Sequence, residues 1–137
     1  MTHVSDRYVL PITVQPAEID VLGHVNNVVY LQWVQDVAIA HWEASADAQL
    51  KAAYHWVVVK HEIEYRQQAK LGDVILVETR VGTIRRTFFE RITEMRRESD
   101  GKLVAKARSW WCPIDATSGQ TVSVPESIKA AFEVDRR

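Results

Sequence analysis

A carboxylate, an imidazole and two amides fall within eight residues, from Asp20 to Asn27, inside the stretch EIDVLGHVNNVVYLQW (Glu18–Trp33). Asp20 offers a base or a nucleophile, and His24 a group that can polarise or move protons. Asn26 and Asn27 stand where an apolar, aromatic-rich helical pattern begins. Asn is a favoured N-cap, and a helix start carries unpaired N–H groups at the positive end of the dipole. Gly23 supplies a sharp turn that lets backbone come close to a ligand. A polar turn emptying into a buried helix is a good setting for acid–base or nucleophilic chemistry beside preorganised N–H donors.

The surrounding elements follow from periodicity. Tyr8, Leu10, Ile12 and Val14 alternate as a strand does, and Pro11 within them predicts an edge strand or a bulge. From Val28 to about Leu50 the apolar spacing is helical, with Tyr30, Trp33, Val34, Val37, Ala40 and His41 on one face and Leu31, Ala38 and Trp42 extending it. A helix apolar on most sides is expected to be buried on most sides. Four strands follow. In the first, Val57, Val59, His61, Ile63 and Tyr65 share a face, and a loop over Gln67–Asp73 ends it. The second covers Asp73–Val81, with a turn at Gly82–Arg86. The third covers Thr87–Arg97, the fourth Leu103–Ile114, with a hairpin at Ser99-Asp100-Gly101 between them. Pro125 at a first helical position starts a short helix with Ile128, Ala131 and Phe132 inward. Consecutive strands joined by short turns are antiparallel.

The 137 residues fit one domain, spanning 1–137. Hydrophobic residues make up 47% and charged residues 26%, ordinary for a globular protein, and a net charge of −1 gives no drive toward nucleic acid or anionic membrane. The single cysteine, Cys112, excludes an intrachain disulfide framework and suggests a reducing compartment. The start MTHVSDRYVL has no signal-peptide pattern, and no apolar run reaches the roughly 20 residues that span a bilayer. The expectation is a cytoplasmic protein without membrane insertion.

Asp20, Gly23, His24, Val25, Asn26, Asn27 and Tyr30, with Trp33 one turn on, resemble without gaps the Asp-x-x-Gly-His-Val-Asn-Asn-x-x-Tyr motif of hotdog-fold thioesterases. The nearest pattern is that of the 4-hydroxybenzoyl-CoA thioesterase-like group, and acyl-ACP thioesterases are similar. The segment Tyr65-x-x-x-Ala69-x-x-Gly72-Asp73 extends the likeness. The resemblance implies an α+β hotdog domain, a curved antiparallel five-stranded sheet wrapped around a long central helix. It implies hydrolysis of an acyl-CoA, with acyl-ACP as another possible carrier and no cofactor. Asp20 would act as base or nucleophile, and the Asn27 amide would polarise the carbonyl. His24 would have the polarising role given to it in the acyl-ACP enzymes. Those enzymes carry Asn two residues after the Asp, where this chain has Leu22, and that favours the Asp-centred mechanism.

Gly23, Asn26, Tyr30 and Trp33 are candidates for substrate binding around this centre, Asn26 as a cap and the two aromatics as core or acyl-pocket lining. Arg85 and Arg86, on a turn, suit the phosphates of CoA. The five histidines show no metal-ligand spacing, and no phosphate loop or nucleophile elbow occurs. Arg91, Arg96, Arg97, Lys102 and Arg108 alternate with Glu90, Glu94 and Glu98, as a solvated sheet face would. Cys112 beside Trp111 reads as a small core residue. Two rivals remain. A hotdog enoyl-CoA hydratase also places Asp and His at the helix start, though at a wider spacing, and a non-catalytic acyl-binding module needs no carboxylate. The strand from Trp56 to Tyr65 lacks Pro and is the edge expected to pair with a second copy, giving a homodimer and, by further pairing, a homotetramer.

Overall fold

The computed structural model describes residues 6–132; residues 1–5, part of the segment read above for a signal peptide, lie outside it. Strand β1 (Arg7–Thr13) leads through a short 3-10 turn (Pro16–Glu18) to helix α1 (Asn27–Ser45). Helix α2 (Ala48–Ala53), strands β2 (Tyr54–Tyr65), β3 (Val74–Arg85), β4 (Phe88–Arg97) and β5 (Leu103–Asp115), and helix α3 (Glu126–Ala131) follow. The strands form one antiparallel sheet in the order β1-β3-β4-β5-β2. Strands β1 and β2 are its edges, so Pro11 sits where a missing N–H is tolerated.

The expected single helix to about Leu50 is two helices. Ala46 and Asp47 are extended, and the Asp47 carboxylate accepts from the Leu50 N–H at 2.8 Å, capping α2. A local cap outcompetes continued apolar spacing there. Pro125 is the N-cap of α3 rather than its first residue. The expected turn at Gly82–Arg86 shrinks to Arg86 and Thr87, because β3 runs on to Arg85 past a register shift between Val81 and Ile84. Arg86 takes φ 41°, a left-handed conformation costly for a side chain other than Gly.

Tyr30, Trp33, Val34, Val37, Ala38 and His41 face the sheet, buried against Val14, Ile75, Val77, Met95, Ala105 and Ala107 among others. The opposite side of α1 is not covered: Val28 and Ile39 are 66% and 56% exposed. The helix packs closer to β1 and β3 than to β2 and β5. A second core joins Phe89, Ile128 and Phe132 to Trp42 and Trp56.

Two face assignments change. A register shift between Val58 and Lys60 inserts an extra residue in β2. It leaves Val57 and Val59 exposed, on the opposite face from His61 and Ile63. Arg91 is not on a solvated face: it sits in β4 on the buried side with Phe89, Thr93 and Met95. Glu90, on the other face, is also buried, held by the Thr83 N–H and by Arg108.

Candidate active site

The loop before α1 closes on itself. The Asp20 N–H donates to the His24 carbonyl at 2.8 Å, Ile19 bridges Val25, and Gly23 takes φ 81° to make the turn. A Cβ on Gly23 would meet no atom of the described chain within 4 Å, so within the chain itself the glycine serves the turn. One oxygen of Asp20, Oδ1, accepts from the N–H groups of Leu22 (2.9 Å) and His24 (3.2 Å). The other, Oδ2, has no hydrogen-bond partner among the described residues. The carboxylate is thus fixed by one oxygen and available through the other.

Asn26 caps α1. Its side chain accepts from the Val28 N–H at 3.4 Å, and its own N–H donates to the Glu18 carbonyl at 2.9 Å. The next amide, that of Asn27, makes no hydrogen bond among the described residues. It is a helix-start donor left open.

Asp20, His24 and Asn27 line one open hollow of about 350 Å³ with Leu22, Tyr30 and Tyr65. Tyr65 donates to the Asn27 carbonyl at 3.3 Å, and its ring meets Tyr30 edge-on. The Tyr30 hydroxyl accepts from the Ala69 N–H at 3.2 Å, and the Ala69 carbonyl accepts from the Val25 N–H at 3.0 Å. Burial holds the Tyr30 phenol above its usual range, so it stays neutral. Arg97 donates to the Gln68 carbonyl at 2.8 Å. The loop after β2 is therefore bound to the helix start and forms the second wall of the hollow.

Four of the expected residues, Asp20, His24, Asn27 and Tyr30, meet there. Gly23 and Asn26 shape the loop without lining the hollow. Trp33 is 1% exposed in the core, its indole N–H donating to Glu18 at 3.3 Å. Arg85 and Arg86 are exposed at the far end of β3, Arg85 beside an outer-face hollow with Phe88, Glu90, Arg108 and Trp110. Strand β2 runs away from Tyr65 toward that end, so one chain does not bring the pair to Asp20. The wall residues Tyr65, Arg66, Gln67 and Gln68 were missed. Their sequence signal was the Tyr65–Asp73 segment, which gave no hint that it folds back on the helix start.

The residues 14–132 match the model of the thioesterase-like superfamily. The chain belongs to that family, whose chemistry is the hydrolysis of thioesters. Solved structures share its fold. A 1,4-dihydroxy-2-naphthoyl-CoA thioesterase from Synechocystis superposes with a TM-score of 0.82 at 17% identity, over 96% of this chain and 98% of the other. A Staphylococcus aureus protein solved in complex with CoA gives 0.82 at 18%, over 97% and 85%. A probable thioesterase from Escherichia coli gives 0.78 at 22%, over 91% and 96%. No curated protein matches by sequence. The architecture is the hotdog one that the motif implied. No helix among the described residues is long and apolar enough to cross a membrane.

Proposed function

We propose that the protein is an acyl-CoA thioesterase, with Asp20 as general base or nucleophile and the Asn27 N–H as the donor to the developing oxyanion. The observation that carries this is the pairing, in one hollow, of a carboxylate oxygen and a helix-start amide that both lack partners among the described residues. A carbonyl between them would meet the attacking group on one side and a preorganised donor on the other. His24 lines the same hollow and is a secondary candidate for polarising the thioester. The CoA held by the S. aureus relative supports CoA as leaving group, and an acyl-ACP would present the same thioester.

The site is completed by a second copy in this reading. Two β2 edges paired antiparallel about their middle would bring the partner's β3–β4 turn, with its two arginines, toward the Asp20 end. Arg85 and Arg86 would then meet the phosphates of CoA across the interface. The uncovered stripe of α1 and the exposed Val21 and Leu22 at the loop tip support a covering partner. Further pairing of dimers gives a tetramer. The single buried Cys112 fits a cytoplasmic setting.

The test is release of CoA from a panel of short, long and aromatic acyl-CoAs, run beside hydration of crotonyl-CoA. Thioester turnover that far exceeds hydration is expected. Hydration without hydrolysis would mark a hydratase, and binding without either reaction an acyl-binding module.

A further inference from the structure

Arg91 is a buried cation in the middle of the sheet with no carboxylate paired to it among the described residues. One guanidinium nitrogen lies 2.9 Å from the His41 Nδ1 and 3.4 Å from the Thr79 hydroxyl. A guanidinium only donates, so the His41 Nδ1 is the acceptor in this contact and brings no negative charge to it. The rings of Phe89 and Phe132 lie 5.5 and 5.1 Å from its central carbon. None of these neighbours balances the charge, and a buried charge without a partner is expensive.

Arg91 lines a cavity of about 50 Å³ with Ala38, Ile39, Trp42, Trp56 and Trp111. The indole N–H groups of Trp56 and Trp111 are buried and have no hydrogen-bond partner among the described residues. A water needs about 10–15 Å³, so the space takes a polar group of a few atoms. The other lining residues are apolar, and the polar side-chain groups among the lining, one guanidinium and indole N–H groups, are all donors. That combination selects an anion that accepts hydrogen bonds.

Beside the cavity lies a wide hollow that shares Ile39, Trp42, Trp56 and Trp111 with it and adds Gln35, Val58 and, at its rim, the ion pair of Lys51 with Glu43. Asn27, Leu31, Gln35 and Ile39 follow one another at four-residue steps along α1, a track of about 18 Å that drifts about 120° round the helix. One end of this track is the hollow of Asp20; the other is Arg91.

Resting on the thioesterase reading above, we propose that the acyl group lies along this track and ends in a carboxylate bound by Arg91 and the indole N–H groups of Trp56 and Trp111. The substrate class is then the CoA thioester of a long α,ω-dicarboxylic acid. The chain's methylenes would lie against Ile39 and Trp42. The distal carboxylate would balance the guanidinium in a dry site, where a neutral methyl end leaves it unpaired.

The experiment compares kcat/KM for CoA thioesters of equal chain length that end in methyl, hydroxyl or carboxylate, across several lengths. The carboxylate series should lead both others by at least about tenfold at its best length. Arg91→Met should remove that preference, and Trp111→Phe, which keeps the ring and loses the N–H, should reduce it. If Arg91→Met does not fold, the Trp111→Phe and Trp56→Phe ratios decide. Equal rates, or a lead for methyl or hydroxyl ends, overturn the proposal and leave thioester hydrolysis standing. Hydrolysis of none of the thioesters removes the thioesterase reading and this one with it. Thermal protection of the wild-type protein by the free dicarboxylate, above that by the matched monocarboxylate, reads the site without turnover, and its absence counts against it.

Discussion

Replacing Asp20 by Asn separates chemistry from architecture. Asn keeps an oxygen where Oδ1 now accepts from the N–H groups of Leu22 and His24, so the loop loses charge but not its hydrogen bonds. The loss in stability should be under about 1 kcal/mol, a shift of a few degrees in Tm. Oδ2, the oxygen without a partner, becomes an amide that neither takes a proton nor attacks a carbonyl. Turnover of the best thioester should fall at least ~100-fold, about 2.7 kcal/mol of barrier. Asp20→Ala also strips the two N–H groups of their acceptor, one exposed and one part-buried, which costs about 0.5–2 kcal/mol, as loss of a side-chain cap does. The assay is thiol release under saturating acyl-CoA, with thermal unfolding of each variant in the same buffer. Activity of the Asn variant above about a tenth of wild type would refute the role. So would losses that track stability, with Ala hurt and Asn spared, because Asp20 would then be only a turn cap. A single turnover in 18O-labelled water identifies a nucleophile by label in the Asp20 carboxylate, which requires water to open a mixed anhydride at the Asp20 carbonyl; a base, or opening at the acyl carbonyl, puts the label in the product acid alone.

Removing the charges of Arg85 and Arg86 together should raise KM more than it lowers kcat, since contacts to CoA phosphates act alike in ground and transition states; unchanged CoA binding would leave the pair a solvated turn. Light scattering at low micromolar concentration should give at least a dimer mass, with activity lost on dilution to monomer, and a fully active monomer would overturn both the shared site and the choice of β2 as the pairing edge. Glu90 supplies a pH signature. Burial opposes its charge, but the Thr83 N–H and Arg108 outweigh that and hold its carboxyl below the usual range. A folded pKa below the unfolded one stabilises at neutral pH and is lost as pH falls below about 4.3. Glu90→Gln should therefore be destabilised at pH 7 and show a flatter acid limb in its urea midpoints; an unchanged limb would refute the account.

The sequence by itself determined the elements that local physics governs. Period-two alternation and turn residues set the strands, the hairpin at Ser99–Gly101 and the edge position that Pro11 requires. The Asp20–Tyr30 motif pointed to the residues that line the central hollow, because a loop and the helix it enters are neighbours whatever the rest of the chain does. Where the reading failed, a distant or competing interaction decided. Continued apolar spacing past Ser45 lost to the Asp47 cap, and one bulge residue in β2 turned Val57 and Val59 away from His61. Arg91 was placed outside by its charge, yet residues two apart in a strand share a face, and 89, 91, 93 and 95 all point inward. Its burial depends on His41 fifty residues earlier and on Phe132 from the far end of the described chain, contacts that no local pattern records. The second wall of the hollow has the same origin. Tyr65 reaches the Asn27 carbonyl across 38 positions, and Ala69 reaches Tyr30 across 39. Such contacts exist only after the sheet has curved over the helix. The sequence could name the reacting groups beside one another in the chain, but the opposing wall and the buried cation needed the tertiary fold, because packing joins residues that spacing keeps apart.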